Sequence, residues 1–247
     1  IKFWDGITLF TDKVFHVAPS VKSKYKVAIV IEPRDLLPYV YQSIVHYENY
    51  FDLILTHDEE LLKRSKKYIF MQPDSSGLSD DDCIIHKKTK LVSMVYSNKT
   101  QLFGHRLRHI IANNVLPNIK TKVDLYGTGT NKPIKLKAEG TNDYMFQIAI
   151  ENAKRKNYFA DKIIDCLSTG TIPIYWGCNN IGEYFDTRGI LCFNTPDQLV
   201  EILNNLSEEK YYSMFEFIQK NYQICSEKYL NYDDIMCDKI TSFFNIM

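Results

Sequence analysis

FQIAIENAKRKNYFADKIIDCLSTGTIPIYWG, residues 146–177, carries three structural signals in succession. Phe146–Ile150 predict a short buried strand that stops at the pair Glu151-Asn152. Asp161–Ser168 predict a helix, and Ile172–Trp176 predict a second buried strand closed by Gly177. The polar residues fall at the junctions: Glu151 and Asn152 after the first strand, and Tyr158, Asp161 and Lys162 where the helix begins. In an open α/β sheet, ligands lie beyond the carboxyl ends of strands. They face helix N-termini, whose N–H groups and dipole favour negative charge. These junctions are therefore where an anionic ligand would be held.

Working outward, Val27–Ile31 read as a strand buried on both faces, ending at Glu32-Pro33-Arg34. Pro33 has no N–H for a ladder, so Glu32 stands at the strand's carboxyl tip. Leu36–Tyr47 predict a helix, Tyr50–Thr56 a strand followed by an acidic helix start at Asp58, and Tyr68–Met71 a third strand. A second apolar patch (Val14, Phe15, Val17) follows the start at Ile1, Phe3 and Trp4. Pro73–Asp82 (PDSSGLSDDD) is a loop by composition and marks the boundary region. Leu91–Tyr96 open a new unit. His105–Asn113 then predict an amphipathic helix with Leu107, Ile110 and Ile111 inward. Val123–Tyr126 and Ile190–Phe193 read as strands, and Pro196 suits the first turn of a helix. Tyr211–Cys225 and Asp233–Phe244 predict helices whose aromatic stripes belong to the core. Strands alternating with helices indicate parallel sheets covered on both faces. The expectation is α/β, two domains facing a cleft: an N-terminal domain of residues 1–85 and a C-terminal domain of residues 86–247.

Composition narrows the function. The 247 residues are 45% hydrophobic and 24% charged with zero net charge, which argues against a general polyanion-binding surface and against a nucleic-acid partner. No apolar run is long enough for a membrane span, and no signal peptide is visible. The six cysteines, at 83, 166, 178, 192, 225 and 237, form no CxxC or zinc spacing. Reduced thiols in a cytoplasmic-type compartment are expected, with Cys166 and Cys192 packing as small hydrophobes. A Golgi-type anchor ahead of Ile1 is compatible with the same sequence. His57, His86, His105 and His109 show no metal spacing, and neither GxxxxGK[ST] nor GxGxxG occurs.

What remains is charge at strand ends. Glu32 is either a general base for a hydroxyl or a capping surface acid. Arg106 and Lys162 are either diphosphate contacts, Arg as a planar fork and Lys as a point charge, or members of solvated helix faces. Asn152 could bond a ribose, a phosphate or a base edge, and Glu151 could accept from hydroxyls. Asp161 is an N-cap, a sugar ligand, or both. Together, beside Glu151-Asn152, these residues favour a nucleotide-diphosphate site.

The run ENAKRKNYFADKIIDCLSTGTIPIYWG strongly resembles the signature of the α-1,3/4-fucosyltransferases, glycosyltransferase family 10. Glu151, Asn152, Tyr158, Lys162, Pro173 and Gly177 fall into its register. LVSMVYSNK, then Arg106 and Arg108, then VDLYG at Val123–Gly127, resemble the family's upstream run, which brings in Ser97. IEP and FDLILTHDEE are similar to its earlier strand ends. The resemblance implies an inverting, metal-independent transferase without a cofactor, built from two Rossmann-like domains of GT-B type. It implies GDP-fucose as donor and a glycan or glycoconjugate hydroxyl as acceptor. Glu32 would be the base. Ser97, Arg106, Glu151, Asn152, Tyr158, Asp161 and Lys162 would bind the donor. Three departures stand out: Asp161 replaces Glu, Ala153 and Ala160 replace Ser and Thr, and the segment before Glu32 is short. The first two leave room for another GDP- or UDP-sugar, or for a non-catalytic nucleotide-sugar or glycan-binding domain.

Overall fold

The computed structural model describes residues 2–4, in backbone only, and 6–245. The apolar start at Ile1 lies outside them. By internal contacts the chain forms two units: residues 1–74, 156–158 and 232–247, and residues 75–155 and 159–231.

The first unit carries a sheet of β1 (Lys2–Trp4), β2 (Ile7–Thr11), β3 (Tyr25–Val30), β4 (Leu53–Thr56) and β5 (Tyr68–Phe70), adjacent in chain order. β2 to β5 run parallel, and β1 pairs antiparallel with β2. Successive side chains on a strand point to opposite faces. Phe10, Ala28, Val30 and Ile54 therefore pack with Phe15, Val40, Tyr41 and Ile44 from the 3-10 turn Asp12–Ser20 and from α1 (Pro38–Tyr47). Ile7, Leu9, Val27, Ile29, Leu53 and Leu55 face the other way, where Met236 and Ile240 of the C-terminal helix Tyr232–Phe244 cover them. That contact places the last helix in the N-terminal unit, so the expected division at 85/86, which puts it in the C-terminal domain, does not hold for this helix. The contact boundary itself falls at Asp74/Ser75. Asp58 caps α2 (Glu59–Leu62), accepting Glu60 N–H at 3.1 Å and Leu61 N–H at 3.0 Å.

The second unit contains β6 (Lys90–Val95), α3 (Phe103–Ile110), β7 (Asp124–Tyr126), β8 (Tyr144–Ile150), α4 (Asp161–Ser168), β9 (Ile172–Trp176), β10 (Leu191–Cys192), α5 (Pro196–Asn204), α6 (Glu208–Ser213) and α7 (Phe215–Lys228). Its sheet is wholly parallel, in the order β10-β9-β8-β6-β7. Every residue of the central strand β8 is buried, as expected of a strand covered on both faces. Pro173 is tolerated inside β9 because β10 begins opposite Ile174, so the missing N–H falls where β9 has no partner on that side. Ile110 is 44% exposed, not inward: α3 ends there and continues as a π turn over Ile111–Val115. Cys192 is also exposed, because β10 is the edge strand.

The strand order locates the switch point of this sheet. β6 lies between β7 and β8, so the chain's direction of travel across the sheet reverses at β6. The crevice beyond the carboxyl ends of β6 and β8 is the topological switch point. Ser97 follows β6 there, and Glu151-Asn152 follow β8.

Candidate functional site

At the end of β8, Glu151 is fully buried. Its Oε1 accepts the Ala160 N–H at 3.0 Å, reaching across the connecting loop to the cap position of α4. Its Oε2 makes no hydrogen bond and lies 3.5 Å from Lys162 Nζ. Two glycines let the backbone close on this carboxylate. A Cβ on Gly104 would fall 1.9 Å from Glu151 O, and one on Gly177 would fall 2.5 Å from Glu151 Cγ. Burial raises the pKa of Glu151, and the nearby Lys162 ammonium opposes the rise.

Lys162, on the first turn of α4, is one-quarter exposed and donates to Asp161 Oδ1 at 2.8 Å. Burial pulls its pKa down, but the Glu151 and Asp161 carboxylates outweigh that and hold the ammonium above its ordinary range. Asp161 Oδ2 accepts from Lys137 Nζ, which also lies 3.2 Å from Asp165 Oδ2. Burial alone would raise the Asp161 pKa, yet Lys162 and Lys137 hold it well below the carboxylate range. Asp165 in turn accepts from Ser76 Oγ at 2.9 Å and Gly77 N–H at 2.7 Å.

From the β6 side, α3 brings a second set. Gly104 N–H donates to Asn152 O at 3.1 Å, seating the helix start on the end of β8. Arg108 is buried. Its guanidinium donates through Nε to Ile150 O at 3.0 Å and through Nη2 to Asn152 Oδ1 at 2.9 Å. His105 accepts Leu102 N–H at Nδ1, 3.2 Å, and hydrogen-bonds the Asn152 side chain. Burial, reinforced by Arg108, lowers its pKa to about 4, so at neutral pH the ring is uncharged and its other nitrogen is a donor.

The structure brings Glu151, Asn152, Asp161 and Lys162 together. It leaves Arg106 on the exposed face of α3, where Nη1 donates to Thr100 O at 3.1 Å and Gln101 O at 2.9 Å. Ser97 is half-buried in the turn after β6, its Oγ 3.4 Å from Lys99 N. Tyr158 groups with the first unit, its ring centroid 5.1 Å from that of His57. Glu32 sits just beyond β3 in that unit. Arg108, His105 and Lys137 are the residues that sequence reasoning passed over as ligand-edge groups. For Arg108 a signal existed: Gly104, Arg108 and Ala112 recur every four residues and share the buried face, while Arg106 falls on the opposite one. Among the described residues, no three His, Cys, Asp or Glu side chains form a group that could hold a metal ion.

Two α/β units with parallel sheets, the second holding a charged cluster at its switch point, define the GT-B class of glycosyltransferase folds. The C-terminal region of glycosyltransferase family 10 (fucosyltransferase) matches residues 85–243, and the chain belongs to that family. An α-(1,3)-fucosyltransferase of Helicobacter pylori is 26% identical over 114 residues, 45% of this chain and 24% of that protein. α-(1,3)-Fucosyltransferase B of Drosophila melanogaster is 37% identical over 73 residues, 28% of this chain and 16% of that one. These matches thus span less than a quarter of each curated relative. A crystallised α1,3-fucosyltransferase with GDP-fucose shares the fold at a TM-score of 0.55 and 15% identity, covering 94% of this chain and 95% of that one.

Proposed function

We propose that the chain transfers fucose from GDP-fucose to a hydroxyl of a glycan acceptor, with inversion and without a metal. The observation that carries this reading is Lys162, held charged between Glu151 and Asp161 on the first turn of α4, at the switch point of the second sheet. In the reaction the acceptor oxygen forms a bond to the anomeric carbon while the bond from that carbon to the diphosphate breaks. GDP departs with the bonding electrons, and the acceptor proton passes to Glu32. Lys162, with Arg106 exchanging its exposed carbonyl partners for phosphate oxygens, supplies the positive charge that the leaving group requires. Arg108 and His105 fix the Asn152 amide for the nucleotide sugar. Ser97 and Tyr158 are assigned to the same donor.

A second reading keeps the nucleotide and changes the sugar. Asp161 stands where the family has Glu, and both its oxygens are taken by Lys137 and Lys162. A carboxylate so occupied has little left for a sugar hydroxyl. Thermal-shift measurements with GDP, GDP-fucose, other GDP-sugars and UDP-sugars, all in EDTA, decide between them. GDP and GDP-fucose should raise the melting temperature, and Lys162→Ala should weaken GDP by about 10- to 100-fold, the scale of a charge-assisted contact. If no GDP compound stabilises the chain, the reading fails. If binding vanishes only when EDTA is added, the metal-free part fails.

A further inference from the structure

Glu32 leaves β3 on a backbone that buried side chains hold on every side. Asp12, which opens the turn after β2, is 8% exposed. Its Oδ1 accepts Ile31 N–H at 2.9 Å, and its Oδ2 accepts Glu32 N–H at 3.1 Å. Tyr41, on the inner face of α1, donates its hydroxyl to Glu32 O at 2.7 Å. His57, just past β4, places Nε2 at 3.2 Å from Ile31 O. All four polar backbone groups of residues 31 and 32 are thus bonded to side chains from three separate elements.

Two of the three clamping side chains, Tyr41 and His57, have supports of their own. Arg34 donates to Asp58 at 2.8 and 3.3 Å and lies 4.5 Å from the centroid of the Tyr41 ring. The His57 ring rests on Tyr158. Capping a strand end does not by itself call for this arrangement. Water would satisfy the same N–H and C=O groups, whereas burying a carboxylate works against its charge. Burial does raise the pKa of Asp12, and the two backbone N–H groups work against the rise. The arrangement does make sense if one residue must be held still. A general base has to meet its proton within hydrogen-bond reach, and an error of about 1 Å can cost about 100-fold in rate.

We propose that Asp12, Tyr41 and His57 are positioning residues that fix the backbone of Glu32 so that its carboxylate meets the acceptor hydroxyl in one place. The inference rests on reading Glu32 as the base. It goes further in assigning function to three residues whose side chains hydrogen-bond the backbone of Glu32 and of its neighbour Ile31.

The test uses the full chain with GDP-fucose and a panel of galactose- and N-acetylglucosamine-terminated oligosaccharides, with water as a further acceptor, reading GDP release. Glu32→Gln should abolish transfer while GDP still stabilises the protein. Asp12→Asn and Tyr41→Phe should each lower kcat by about tenfold or more, with KM for GDP-fucose within about twofold of wild type. His57→Leu should fall likewise. His57→Gln, which restores a donor towards Ile31 O, should recover most of the loss; a purely packing role would not produce that rescue.

If Glu32→Gln is inactive while Asp12→Asn, Tyr41→Phe and His57→Leu keep kcat within twofold, the positioning role is overturned and the base survives. Rescue failing with Gln, or kcat losses that merely follow the melting temperature, also overturns it. Normal turnover by Glu32→Gln removes the base and this inference together. A wild-type chain that binds GDP but releases none from GDP-fucose removes the proposed reaction, and the inference with it.

Discussion

Lys88 and Lys162 show how differently one side chain behaves in two surroundings. Lys162 faces two carboxylates and keeps its charge. Lys88 is 5% exposed, and its Nζ lies 2.9 Å from Asn142 O, 2.8 Å from Thr169 O and 2.8 Å from Thr171 Oγ1, all neutral groups. Burial pushes its pKa down to about 7. The sign of the resulting pH effect follows directly. Between pH about 7 and the ordinary lysine value of about 10.5, the unfolded chain carries a proton on Lys88 that the folded chain has released. Stability from this group therefore rises with pH across that window and is flat below it. Urea unfolding at pH 6, 8 and 10 should show the rise, and Lys88→Met, though less stable overall, should lack it. A slope unchanged in Lys88→Met would mean that Lys88 is not its source.

At the scale of elements, the site depends on how closely α3 approaches the end of β8. Gly104 carries that contact, because any side chain there would meet backbone rather than a side chain able to move aside. Gly104→Ala should push the helix start away from Asn152, weaken GDP binding at least tenfold, and destabilise the protein by about 1–3 kcal/mol, the cost of overpacking. Calorimetric titration and urea unfolding check the two parts. Full-strength GDP binding by Gly104→Ala would show the contact to be dispensable.

Much at this scale was legible in the sequence. α4 and β9 occur at the expected residues because each apolar run is bounded by clear polar or glycine punctuation. β2 was not legible. Its ITLFT holds two threonines in a five-residue run, and although Asp5-Gly6 ahead of it is a turn dipeptide, its pairing with β3 is set by contacts about eighteen residues away. Asp12 was invisible for a related reason: the amides it accepts lie 19 and 20 residues further on. Within the site, the Glu151-Asn152 and Asp161-Lys162 pairs were readable because they interrupt apolar segments. Lys137 sits in a polar stretch, where nothing local distinguishes an ion-pair partner from a solvated lysine.

At the scale of the molecule, the first unit depends on the end of the chain. Ile240 is fully buried against β2, β3 and β4 residues. Ile240→Ala should cost about 2–5 kcal/mol, as large-to-small core substitutions do. Because the two units have separate cores, the loss should fall on the unit containing β1–β5. Hydrogen exchange should show faster amides in β3 and β4, with those of β8 and β9 unchanged. Equal acceleration in both sheets would mean that the units unfold as one.

The C-terminal helix also sets an order of events during synthesis. A ribosome delivers residues 75–231 before it delivers Tyr232–Phe244, so every residue of the second unit is made while the first still exposes Ile7, Leu9, Val27, Ile29, Leu53 and Leu55. Of the two units, the one begun earlier is therefore the one finished later. A nascent polypeptide stalled near residue 231 would present a sheet with one apolar face bare, a surface suited to capture by a chaperone until Tyr232–Phe244 is made.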